Sequence, residues 1–196
     1  MMKPYTGYAP KASSSKPECL PAGIYSAVIK GARVEDTQYG QRLIIALDVA
    51  DGEHKGHYQN LFDWETQNGN FGSPKWKGTL RIGVPTGDGS EKDSWTKRSF
   101  EGNIWAIEQS NPGFTFDFDE KKLTGLKVGI NVRAKEWEYN DMTGWTTEIG
   151  RLESLPEVLA GRVKPMKDRP LNKPETAATT DAQNGFTAVE TSELPF

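Results

Sequence analysis

The chain has 196 residues, of which 35% are hydrophobic and 26% charged, enough for one domain with a real core. No apolar run approaches the roughly 18 residues of a membrane span, and the single cysteine, Cys19, excludes a disulfide scaffold. The formal charge of −3 argues against an acidic partner, but residues 174–196 hold Glu175, Asp181, Glu190 and Glu193 with no lysine or arginine, so the rest of the chain carries +1. A claim of nucleic-acid binding must therefore rest on where the charges sit.

Residues 1–20 are rich in Pro, Ser, Gly and Lys without period and read as a flexible arm lacking the apolar stretch of a secretory signal, which predicts a cytoplasmic protein. Three runs of strand length follow, GIYSAVIKGARVED, QRLIIALDVAD and HYQNLFDWE, separated by TQYG and GEHKG, and predict a three-stranded meander. In the second, Leu43, Ile45, Leu47 and Val49 share one face. In the first, apolar residues on both parities before Gly31 predict a long strand with a bulge.

Residues 66–91 hold six glycines among scattered aromatics and basics and read as a long loop or added hairpin inserted into the domain. KDSWTKRSFEGNIWAIEQSNPG predicts one helix, capped at Asp93 or Ser94, interrupted or delayed by Gly102, stopped by Asn-Pro-Gly, with Trp105 in the core. Leu126, Val128, Ile130, Val132 and Ala134 then share one face of a strand whose other face carries Asn131, Arg133, Lys135 and Trp137. A turn at NDMTG leads into the hairpin partner WTTEIGRLESL, and LPEVLAG makes a short helical turn. From Val163 to Phe196 the chain reads as a disordered acidic tail. The expected fold is mainly β, a five-stranded OB-fold-like barrel over residues 21–162 with one helix between strands 3 and 4, the architecture that presents a strand face to oligonucleotides or oligosaccharides. A β-sandwich or another α+β barrel is the alternative.

Single-stranded nucleic acid calls for π-faces interleaved with cations. Lys75, Trp76, Lys77 and Arg81 form the densest such group, unless Trp76 folds back onto the barrel. Arg133, Lys135 and Trp137 form a second stripe, Tyr58, Phe62 and Trp64 line one face of the third run, and Arg33 and Arg42 are phosphate contacts at strand ends. Trp95 with Lys97 and Arg98 reads either as core packing or as a further contact. His54 and His57 lack further metal ligands, Gly87-Asp88-Gly89-Ser90 lacks the lysine of a phosphate loop, and no catalytic constellation or cofactor site is arguable.

The chain ends in Glu190, Glu193, Leu194, Pro195 and Phe196: acids before an apolar pair and a terminal phenylalanine. This tip resembles the tail of single-stranded DNA-binding proteins, and GIYSAVIKGARVED and VGINVRAKEWEYNDMTGW look like bacteriophage versions of that family. The resemblance implies an OB-fold coating single-stranded DNA largely independently of sequence in replication, recombination or repair, without a membrane partner. It further implies a tip that recruits other proteins, and a host-cytoplasmic setting if the chain is phage-encoded. Few acids at the tip and no strong positive excess in the body predict modest, steeply salt-dependent strand binding. An open barrel edge leaves a homodimer open. A carbohydrate-binding module, or an adaptor acting only through its tail, is the competing reading.

Overall fold

The computed structural model describes Thr6 and residues 15–68 and 73–171. Strands β1 (Gly23–Thr37) and β2 (Gly40–Val49) form a hairpin, helix α1 (His57–Asn68) follows, and β3 (Thr79–Gly83) pairs back onto β2. Helix α2 (Glu91–Ser110) and a short 3-10 turn (Glu120–Leu123) lead into the hairpin of β4 (Lys127–Tyr139) and β5 (Met142–Glu153), closed by helix α3 (Leu155–Leu159). The antiparallel sheet has the order β3-β2-β1-β4-β5. It curls until residues of β3 and β5 come within 8 Å Cα to Cα, yet no ladder joins them, so of the expected OB-fold-like barrel the structure has the five-stranded antiparallel sheet, not closed. Among the described residues no helix is long and apolar enough to cross a membrane.

Period-2 patterning builds the sheet: Leu43, Ile45, Leu47 and Val49 from β2 and Val128, Ile130 and Val132 from β4 meet Phe100, Ile104 and Ile107 of α2 in one core. The register of β1 slips between Ile29 and Gly31, so the expected bulge lies at Lys30 and lets the strand serve β4 with its first half and β2 with its second. At the far tip of β4–β5, Asn140 and Asp141 both adopt positive φ (48° and 60°), as a tight hairpin turn demands.

Several expectations need correction. HYQNLFDWE is helix, not strand: Tyr58 and Leu61 are its buried residues, and the Asp48 carboxylate at the end of β2 accepts the Tyr58 N–H at 2.9 Å, capping the helix from a distant element. The third strand lies instead in the glycine-rich stretch 66–91, which is thus part of the sheet rather than an insertion, and α2 does fall between the third and fourth strands. Ser90, not Asp93 or Ser94, caps α2, its Oγ accepting the Asp93 N–H at 3.0 Å. The helix runs through Gly102 unbroken and stops before Pro112 and Gly113 as expected. Leu20, assigned to the arm, is 1% exposed in the core. The tail does not begin at Val163: buried Asn131 donates to the Lys164 carbonyl (3.0 Å) and accepts the Met166 N–H (3.1 Å), and Arg169 makes an isolated parallel bridge to Lys135. Residues 190–196, the tip, lie outside the described residues.

Candidate nucleic-acid interface

The side of β1, β2 and β3 turned away from the core carries a groove of about 500 Å³ lined by Gly31, Arg33, Ile44, Ala46, Trp76 and Arg81, with Lys75 and Thr79 at its margin. Register places its members. Arg33 of β1 stands directly across from Ile44 of β2, and Ile44 directly across from Arg81 of β3, while the next row is Gly31, Ala46 and Thr79. Small residues thus make a floor, and two arginines rise on either side of one isoleucine. Ile44 is only 4% exposed although it faces away from the core, as expected where the aliphatic stems of flanking arginines cover an apolar centre and leave their guanidinium heads in water. Arg33, Lys75 and Arg81 are exposed and make no ion pair among the described residues.

Trp76 is fixed in this groove. Its indole N–H donates to the carbonyls of Leu47 (3.0 Å) and Gly78 (3.1 Å), and its ring lies 5.8 Å from that of Phe62 on α1. Gly78 is what allows the approach, because a Cβ there would collide with the Leu47 carbonyl and the Tyr58 ring. Both readings of Trp76 therefore hold at once: one edge is packed, and the ring still lines the groove. Four of the expected contacts, Arg33, Lys75, Trp76 and Arg81, though up to 48 positions apart, come together here.

The others scatter. Tyr58 is buried and does not present a face; burial first, then the nearby Asp48 carboxylate, pushes its phenol well above the usual range. Trp64 sits half-buried on α1 rather than on a strand. Lys77 points to Glu65 at 3.7 Å. Arg42 lies at the β1–β2 turn beside exposed Tyr39, whose ring stands 5.8 Å from Lys92 Nζ. Tyr39 was missed, although an aromatic inside the turn TQYG has no core to enter and was a readable signal.

The β4 stripe is differently disposed. Arg133 and Lys135 reach Glu148 at 2.7 and 3.1 Å, and Arg169 joins at 3.2 Å, so one carboxylate serves three cations. Burial raises the Glu148 carboxyl, but hydrogen bonds from Arg133, Lys135 and Arg169 outweigh it and hold the group below the usual range. The three cations, together with Arg151, Lys164 and Lys167, line a second cleft of about 700 Å³, roofed by the segment that Asn131 pins. Trp137 lies across Gly144, half-exposed, and Tyr139, Met142 and Trp145 are exposed around the hairpin tip. Trp105, expected in the core, is 54% exposed on α2. Among the described residues no group of His, Cys, Asp and Glu is placed to hold a metal ion. Neither a known protein family nor a curated protein matches the sequence.

Proposed function

We propose that the protein binds single-stranded DNA, largely without sequence preference, across the outer face of β1, β2 and β3, and recruits replication, recombination or repair proteins through its C-terminal tip. The observation that carries this reading is the row Arg33, Ile44, Arg81: two permanently charged groups held on either side of an apolar centre, without an ion pair among the described residues, next to an anchored indole. A chain that leaves such like charges unpaired on either side of one residue fits a partner with phosphates to reach them and bases to lay on the indole. Sheet order and the near approach of β3 to β5 support an OB-type barrel left partly open, whose ligand face is formed by strands 2 and 3 and by the β1–β2 and β4–β5 loops. Those two loops here carry Tyr39, Tyr139 and Met142.

Tryptophan fluorescence during titration with oligo-dT, at low and at physiological salt and with duplex and oligosaccharide controls, tests the reading. Quenching by the single strand that salt weakens and neither control matches is the expected result. No response at low salt refutes it, and a response to the oligosaccharide alone assigns the groove to sugars.

A further inference from the structure

Helix α2 carries a second, unrelated surface. Trp95, Arg98, Gly102 and Trp105 lie along the centre of its solvent side, with Trp95 62% and Trp105 54% exposed while Phe100, Ile104 and Ile107 fill the opposite side. The Arg98 guanidinium stacks 5.0 Å from the Trp95 ring centroid, and nothing stands within 4 Å of where a side chain at Gly102 would begin. The spacings along this stripe are three, four and three, so an antiparallel copy brings Trp95 opposite Trp105 and Arg98 opposite Gly102.

We infer that α2 is a self-association surface on which a second copy of this chain docks antiparallel about a two-fold axis midway between Arg98 and Gly102. A two-fold interface must be self-complementary, and this stripe is. Trp95 of each copy meets Trp105 of the other, and each Arg98 enters the space left open over the opposite Gly102. There it finds Glu101, which in its own helix has only an exposed partner, Lys97, at 3.8 Å. Charge therefore complements shape at both symmetry-related points. Four tryptophans more than half exposed contribute on the order of 500 Å² of buried area, and the flanks of two 20-residue helices must supply the rest of the ~1,200 Å² typical of a specific dimer. A weak, reversible dimer follows. A nucleic-acid strand fits the stripe less well, because α2 holds four acids, Glu91, Asp93, Glu101 and Glu108, against three bases, Lys92, Lys97 and Arg98.

Sedimentation velocity of the full chain across a wide concentration range is the test, and it does not depend on DNA binding. The wild type is expected to show a concentration-dependent monomer and dimer. Arg98→Glu sets acid against Glu101 of the opposite copy and should weaken the dimer about tenfold, while Arg98→Glu combined with Glu101→Arg should restore it. Gly102→Gln fills the space Arg98 needs while raising helix propensity, so loss of the dimer there is not a loss of folding. A monomer at every concentration overturns the inference, as does a dimer that neither Arg98→Glu nor Gly102→Gln moves. Weakened oligo-dT binding by Trp95→Ala and Trp105→Ala, with assembly unchanged, would assign the stripe to the strand instead.

Discussion

Replacing Arg81 by alanine removes one of three unpaired cations, Arg33, Lys75 and Arg81, around the β1–β3 groove and should be read out in the salt dependence of strand binding more clearly than in affinity at one salt. Each phosphate neutralised contributes about −0.7 to the slope of log K against log salt for a single strand, so three contacts give about −2, Arg81→Ala about −1.4, and Arg33→Ala with Arg81→Ala about −0.7. Between 50 and 200 mM salt that is an affinity loss of roughly twentyfold for the wild type, sevenfold for the single variant and under threefold for the double. Both arginines are exposed and make no ion pair among the described residues, so what unfolding free energy loses is the cover their stems give Ile44, about 1 kcal/mol or less. Fluorescence titration with oligo-dT at four or five salt concentrations, with urea unfolding of each variant beside it, measures both quantities. A double variant that keeps the wild-type slope would show that phosphates do not lie between these arginines, and the assignment of the groove would fall with it.

Three further outcomes follow from particular contacts. Trp76→Phe removes the indole N–H from the Leu47 carbonyl and from the Gly78 carbonyl, which keeps the Leu47 N–H, and should cost about 1 kcal/mol of stability while keeping a stacking face, whereas Trp76→Ala should also lose roughly 1–3 kcal/mol of strand binding; urea unfolding and oligo-dT titration of the pair separate the two effects. Asn131→Leu unpairs the Lys164 carbonyl and the Met166 N–H, at a cost of about 1–3 kcal/mol, and should speed tryptic cleavage after Arg162 and Lys167, followed by mass spectrometry. Because the folded state lowers the pKa of Glu148 below its ordinary 4.5, the stability it contributes is complete above that value and is lost as pH falls through the folded pKa. Urea midpoints measured from neutral to acidic pH should therefore fall more gently in Glu148→Gln, and equal slopes would refute the coupling.

Long strands were legible because one face of each is buried: in β2 and β4 every second residue is apolar, and a slip by one position would turn all of them outward. The stop of α2 was legible for a similarly local reason, since Pro112 cannot continue a helix. Helix α1 was not. Tyr58, Phe62 and Trp64 favour a strand by propensity, and what decides for the helix is the Asp48 cap at its start and the contacts of Tyr58 and Phe62 with Gly78 and Trp76, none visible within HYQNLFDWE. Mistaking α1 for the third strand then hid β3, whose Leu80 and Ile82 supply only two inward residues in a glycine-rich setting.

Charge shows the same limit at the site. Arg133 and Lys135 looked like the better phosphate contacts because a whole strand face carried them, yet the hairpin returns Glu148 directly opposite Arg133 and places it within reach of Lys135. Arg33 looked weak because it stood apart from the Lys75–Arg81 group, and only the pairing of β1 and β3 on either side of β2 sets Arg33 and Arg81 across Ile44. A cation's availability to a phosphate depends on which carboxylates the fold brings to it, a property of register rather than of neighbours in the chain. Near-zero charge over the domain is thus compatible with strand binding, since no acid lines the β1–β3 groove while Glu65, Glu148 and Glu153 occupy cations elsewhere.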